Sequence, residues 1–145
     1  MSFLKSMDIT GSALTAERFR MDVILQNITN ASTTRTASGE PYRRKLVVFQ
    51  EREVDFAAAL RNESNALTKT GGVRATEVIE SDADFIPIYD PSHPDANEEG
   101  YVMYPNVNTT EERIDLMAAS TAYEANLTAL GIVKQLALKA LEIGK

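Results

Sequence analysis

The sequence contains no cysteine, a single histidine and no long run of apolar residues. The lack of cysteine excludes disulfide frameworks, thiolate zinc sites and cysteine nucleophiles. A single histidine leaves most catalytic dyads and metal clusters without their commonest member. The apolar stretches near the C-terminus are interrupted by Glu124, Lys134 and Lys139, so none supplies the roughly twenty apolar residues of a membrane helix. We therefore expect a soluble or peripheral protein that does not insert into a membrane.

Length and net charge further limit the classes of protein to which this chain can belong. The 145 residues are 43% hydrophobic and 25% charged, which is the composition of one ordinary globular domain. The net charge of -6 repels a phosphate backbone, so we do not expect nucleic acid as a partner. The first residues, Met1 to Asp8, lack the apolar core and small-residue cleavage site of a secretory signal. We expect any export to proceed without a cleaved signal peptide.

Both ends of the chain carry apolar residues at positions spaced alternately by three and four. In residues 1–31 the pattern is interrupted by a polar residue only at Thr10 and Glu17. In residues 109–145 it is interrupted only at Asn126. This spacing is typical of a coiled-coil-like seam. It predicts long N- and C-terminal helices, each with a coiled-coil-like apolar seam. The side chains expected to make the helix and subunit contacts, here called the seam residues, are Leu14, Met21, Ile24, Asn27, Ile28, Asn30, Leu116, Tyr123, Asn126, Leu127, Leu130, Val133, Leu136 and Leu141.

The C-terminal helix has predictable ends and an unusual length. Thr109 and Glu112 have the spacing of a capping box, and Gly144 is placed to end the helix. At 1.5 Å per residue the two helices would extend roughly 40 and 50 Å, which is longer than a compact domain of this size requires. A single copy would leave apolar surface exposed, so we expect other chains to cover it.

The middle of the chain, residues 32–108, changes character. Short β-like runs at Leu46–Phe49, Val73–Ile79, Phe85–Tyr89 and Tyr101–Tyr104 are separated by turn-rich loops. They predict a small antiparallel β-rich domain. The predicted fold class is therefore α+β, with an N-terminal helix in 1–31, a β-rich middle domain in 32–108 and a C-terminal helix in 109–145.

Two loop features are candidate chemical sites, the acidic loop and His93. An acidic loop could hold calcium, but its spacing does not match the EF-hand pattern, so a solvated turn is the favoured interpretation. His93 stands between Ser92 and Pro94, where a lone imidazole is more often a hydrogen-bonding group of the loop than a base. The acidic residues are Asp82, Asp84, Asp90, Asp95, Glu98 and Glu99.

Basic and amide side chains leave alternatives open. The basic run Arg43, Arg44 and Lys45 favours an exposed strand edge or an ion pair between subunits over a phosphate site. The amides Asn27, Asn30 and Asn126 could cap helix carbonyls, fix the register of a helix pair, or lie exposed on the helix surface.

Several segments resemble the axial proteins of the bacterial flagellum, the family of rod and hook subunits. Residues 11–24 and 26–33 are similar to the N-terminal motif shared by these proteins, although Gln26 and Thr29 depart from the usual Asn and Ala. Internal segments at 41–45, 89–96 and 100–108 resemble those of a proximal-rod member. Two segments of the C-terminal helix, residues 123–126 and its end at 137–145, also match.

The resemblance implies a structural subunit of the flagellar basal-body rod, which is not an enzyme and binds no cofactor, and whose terminal helices pack as a coiled-coil-like pair. Such a subunit assembles helically into a rod that crosses the periplasmic space and transmits torque. The resemblance also implies export, unfolded, through the flagellar type III apparatus. The implied partners are other copies of the chain, the sister rod proteins FlgB, FlgF and FlgG, and the rod-base protein FliE. A helical adaptor or secretion-associated binding module, using the same apolar stripes, is the alternative.

Overall fold

The computed structural model describes residues 3–52 and 71–143, and it has an α+β architecture. Two long helices stand at the ends of the chain, α1 (Phe3–Thr29) and α2 (Thr109–Ile143). Four strands lie between them in sequence: β1 (Lys45–Glu51), β2 (Val73–Glu80), β3 (Ile86–Tyr89) and β4 (Tyr101–Tyr104). The predicted fold class, the two helices and the strand positions are confirmed.

Side-chain amides cap both helices at the ends that face the middle of the chain. Asn30 donates from Nδ2 to the carbonyl of Gln26, which satisfies a carbonyl at the end of α1 and confirms the capping interpretation for Asn30. At the start of α2, Asn108 Oδ1 accepts the N–H of Thr110, and Asn108 Nδ2 donates to Glu111. The predicted capping box of Thr109 and Glu112 is therefore wrong by one residue, because the Glu112 carboxylate is engaged elsewhere.

The strands form two separate two-stranded sheets. In the first, Arg52 N–H donates to Gly72 C=O and Ser81 N–H donates to Arg44 C=O, so β1 and β2 run antiparallel. In the second, β3 and β4 pair antiparallel with Tyr89 opposite Tyr101 and Ile86 opposite Tyr104.

The chain forms two compact units, and each combines helix and strand. Unit 1 draws on Met1–Phe19, Phe49–Thr76 and Ala119–Lys145, and its buried residues include Ser12, Ala16 and Ala119. Unit 2 draws on Arg20–Val48 and Glu77–Ala118. Its buried residues include Val23, Ile24, Asn27, Tyr42, Val102, Val107 and Glu112. The division of the chain into domains at 31/32 and 108/109 stays a prediction.

The predicted helix end at Gly144 lies outside the described residues. Across the part of the chain that the structure describes, neither helix is long and apolar enough to span a bilayer.

Candidate assembly interface

The seam residues differ in how far the chain itself covers them. Ile24 and Asn27 are buried, whereas Leu127, Leu136 and Leu141 are exposed. The remaining seam residues are half-buried: Leu14, Met21, Ile28, Asn30, Leu116, Tyr123, Asn126, Leu130 and Val133. Their role in subunit contacts stays a prediction.

The second half of α2 presents an apolar surface that the chain does not cover. Leu141 is 72% exposed, and about half of each of Leu127 and Leu136 is exposed. Ile132 and Leu138, which are not among the predicted seam residues, are as exposed as Leu127 and Leu136. A helix with apolar side chains on more than one face requires more than one packing partner.

In unit 2, a buried amide ties the end of α1 to β1 and to the start of α2. Asn27 is 1% exposed. Its Nδ2 donates to the backbone carbonyl of Lys45 and to Glu112 Oε2, both at 2.9 Å. Its Oδ1 accepts from the Tyr42 hydroxyl and from the Lys45 N–H, again at 2.9 Å. For Asn27, the interpretations as a helix cap and as an exposed surface amide are therefore wrong. Asn126, the third amide, is half-buried.

Charged partners complete this arrangement. Glu112 is 1% exposed and accepts from Arg44 Nε at 2.5 Å, while Arg44 Nη2 reaches Asp115 at 3.2 Å. Arg20 of α1 contacts the same Asp115 at 3.9 Å. A buried carboxylate of this kind is tolerated because it is both paired and hydrogen-bonded. We call Asn27, Tyr42, Arg44 and Glu112 the Asn27 cluster.

The Asn27 cluster perturbs one of its own members. Burial raises the pKa of the Tyr42 hydroxyl, and the nearby Glu112 and Glu80 carboxylates raise it further. Both causes disfavour the phenolate, because a charge there would be poorly solvated and would face other negative charges. Tyr42 therefore stays a hydrogen-bond donor to Asn27 over the whole physiological pH range.

The basic run on β1 and just before it is used within the chain. Arg44 pairs with Glu112 and Asp115, so the expected exposed edge or ion pair between subunits is wrong for this residue. The Arg43 guanidinium lies 4.3 Å from the centre of the Phe85 ring, and the Lys45 ammonium lies 5.5 Å from that of Tyr42. The run of basic residues is visible in the sequence. Glu112, the acidic partner of Arg44, lies 68 residues away, so the sequence does not indicate the pair.

The acidic loop is held by its own hydrogen bonds. Ser92 donates from Oγ and from its backbone N–H to Asp90 Oδ1, and these two bonds lower the pKa of Asp90. Asp95 accepts from Thr34 Oγ1 and lies 3.5 Å from Arg35. His93 Nδ1 accepts the Asp95 N–H, which confirms the loop-bonding interpretation. Within the described ranges, no three His, Asp or Glu side chains converge as metal ligands would.

Two terminal helices, a small β region between them and an uncovered apolar surface on α2 define a class of subunit that is built for assembly. Residues 98–143 match the family model described as flagellar basal body rod FlgEFG protein C-terminal. The chain is 44% identical over 150 residues to the flagellar basal-body rod protein FlgC of Bacillus subtilis, with both chains covered completely. It is 41% identical to FlgC of Escherichia coli O157:H7, again over both complete chains. For FlgC of Borreliella burgdorferi the identity is 37%, covering 99% of this chain and 98% of that one. The chain belongs to the family of the flagellar basal-body rod protein FlgC.

Proposed function

We propose that this chain is a structural subunit of the proximal part of the flagellar basal-body rod, where it assembles helically and transmits torque. The observation that carries the proposal is the apolar surface of α2 at Leu127, Ile132, Leu136, Leu138 and Leu141, which the chain leaves exposed. Exposed apolar side chains in this number, on more than one face of a helix, mark contacts with other proteins. Membership of a family of rod proteins supports the rod as the structure that these contacts build.

The physical reason for assembly lies in the cost of leaving this surface in water. Burial of apolar area contributes about 25 cal/mol for each Å², so several half-exposed leucine and isoleucine side chains supply a substantial driving force when a neighbour covers them. Because these side chains follow α2 from Leu127 to Leu141 on more than one of its faces, helices of more than one neighbouring subunit are the matching shape. The rod would thus be held together by helix packing.

The partners and location follow from the same proposal. We infer contacts with other copies of the chain, with the sister rod proteins FlgB, FlgF and FlgG, and with the rod-base protein FliE. The chain would reach the rod, in the periplasmic space, through the flagellar type III apparatus and without signal cleavage. No catalytic role, cofactor, nucleic acid or membrane insertion enters the proposal.

Leu136→Asp tests the role of the α2 surface. Leu136 is exposed in the chain itself, so a carboxylate there costs little in the free protein but several kcal/mol when a neighbour buries it. We expect the variant to be exported but absent from purified basal bodies, and the cells to be non-motile. Gln135→Asp places the same charge on the neighbouring exposed position and should assemble normally.

Two results would contradict the proposal. Normal incorporation of the Leu136→Asp chain would remove the α2 surface from the assembly contacts. Intact rods in electron micrographs of cells that lack this chain would remove the rod function itself. Recovery of a small closed oligomer with a defined soluble partner would favour the adaptor alternative.

A further inference from the structure

Two surfaces of this chain, one in each compact unit, are complementary in charge and in apolar character. The first is the β3–β4 sheet with its loop, in unit 2. The second is a groove in unit 1, lined by α1, by the start of β2 and by Arg52, which follows β1. Neither surface is used by the Asn27 cluster or by the apolar surface of α2.

The β3–β4 sheet presents an exposed face that is largely aromatic. The register places Pro87 opposite Met103 and Tyr89 opposite Tyr101. Because side chains two apart on a strand share a face, these four lie together, and all four are exposed. The Tyr89 and Tyr101 rings meet edge to face, with centroids 5.3 Å apart. The opposite face contains Val102, which is completely buried.

Carboxylates border this face. The loop of residues 90–100, which joins β3 to β4, contains four acidic residues and no lysine or arginine. Asp90 is hydrogen-bonded to Ser92, and Asp95 is paired with Arg35. Glu98 and Glu99 are exposed, and their carboxylates form no ion pair with a described residue. A partner for this face must therefore combine apolar surface with positive charge.

The groove in unit 1 combines an apolar lining with positive charge. Its volume is about 290 Å³, and its apolar lining includes Ala16, Phe19, Val73 and Ala75. Its only charged lining residues among the described part of the chain are Arg52 and Arg74. Arg52 lies 3.7 Å from Asp8, whereas Arg74 is exposed and forms no ion pair with a described residue. An acidic, aromatic surface is the complement of such a groove.

We propose that the β3–β4 face of one copy docks into the unit 1 groove of a second copy, with Glu98 and Glu99 facing Arg74. The occupant is a second copy because both complementary surfaces are present on the same chain. The contact joins two different surfaces, so it is heterologous and can be repeated from copy to copy without closing into a dimer. This inference rests on the proposed function and assigns one of the contacts between copies.

Charge reversal tests the contact in cells. We expect Arg74→Glu, and separately the pair Glu98→Arg with Glu99→Arg, to lower recovery of the chain in purified basal bodies roughly tenfold, because each places like charges across the contact. The chain that carries all three changes should recover toward the wild-type level. Arg113→Glu, which reverses an exposed arginine of α2 outside both surfaces, should leave recovery unchanged.

Cross-linking supplies a second readout. The chain has no cysteine, so introduced cysteines have no background. We expect a tagged Arg74→Cys chain and an untagged Glu98→Cys chain, produced in the same cell, to form a mixed disulfide-linked dimer in basal bodies. The pair Arg113→Cys with Glu98→Cys should not form one.

The outcomes separate this inference from the proposed function. Absence of the mixed dimer in basal bodies that contain both chains, or silent charge reversals, would overturn the contact and leave the rod function intact. A bifunctional cross-linker that joins Glu98→Cys to another rod protein instead of a second copy would also overturn it. Absence of the wild-type chain from basal bodies would contradict the proposed function instead.

Discussion

Within the Asn27 cluster, Glu112 bonds both the buried amide of Asn27 and the guanidinium of Arg44. Its two carboxylate oxygens accept from Arg44 and from Asn27, so removing the side chain leaves a cation and an amide without partners in a buried site. We expect Glu112→Ala to lower the free energy of unfolding by about 3 kcal/mol, the usual cost of breaking a buried pair by removing one partner. Urea denaturation of the purified chain measures this change.

The neighbouring glutamate is the matched control. Glu111 is exposed and contacts only the side chain of its cap residue, Asn108, among the contacts described. Glu111→Ala should therefore change stability by less than about 1 kcal/mol. Equal losses for the two variants would show that helix capping, and not the cluster, stabilises this end of α2.

Tyr42 makes the stability of the chain depend on pH in the alkaline range. The pKa of its hydroxyl is raised in the folded chain, whereas in the unfolded chain this pKa is about 10. As the pH rises above that value, the unfolded chain loses the proton first, so the folded state loses stability until the folded pKa is reached. Below about pH 9 this contribution is constant.

The test compares the wild-type chain with Tyr42→Phe. The variant lacks the hydroxyl that donates to Asn27 Oδ1, so it should be less stable by about 1 kcal/mol at pH 7. This difference should shrink as the pH rises from 9 to 11. A difference that stays constant or increases over that range would contradict the assignment of the raised pKa to Tyr42.

At the scale of elements, the start of β2 is fitted closely to α1. Gly72 has a φ of +105°, and a Cβ built there would lie 2.6 Å from Ser12 Oγ. Ser12 is itself buried and fixed, since it donates to the Ile9 carbonyl and accepts the Val73 N–H. A side chain at position 72 would be strained by its backbone and would displace this hydroxyl.

A substitution at Gly39 distinguishes backbone strain from the steric clash with Ser12. Gly39 also has a positive φ, of +86°, but a Cβ there would meet nothing within 4 Å. We expect Gly39→Ala to cost about 1 kcal/mol through backbone strain alone, and Gly72→Ala to cost about 3 kcal/mol. Thermal denaturation of both variants measures the two values. Equal shifts would show that α1 and β2 do not require this close approach.

The elements were predictable from local pattern, but the contacts between them were not. The apolar run Leu46–Phe49 lies in β1, and the three-and-four spacing located α1 and α2, because periodicity is a property of neighbouring residues. The bond from Asn27 to Glu112 joins residues 85 apart, and no local signal indicates it. For that reason Glu112 was assigned to a capping box, and Arg44 to a surface, when each is the other's partner.

For the whole molecule, the uncovered half of α2 predicts how the free chain and the assembled chain differ. We expect amides of residues 124–143 to exchange rapidly in the free protein, and at least about tenfold more slowly in basal bodies, because apolar partners then stabilise the helix. Amides near Val23 and Ile24, which the chain buries by itself, should be protected in both states. Hydrogen exchange with mass spectrometry makes the comparison, and strong protection of 124–143 in a demonstrated monomer would contradict it.

The order of segments in the two compact units also determines when the chain can fold. Unit 1 takes residues from Met1–Phe19 and from Ala119–Lys145, so its contacts join the two ends of the sequence. Unit 2 is likewise composed of two segments separated by a part of unit 1. Contacts of such long sequence separation form slowly, and those of unit 1 cannot be completed before the last helix has been synthesised. The packing of unit 1 is therefore postponed until α2 has been released in full, whereas unit 2 has all of its residues as soon as Ala118 has emerged.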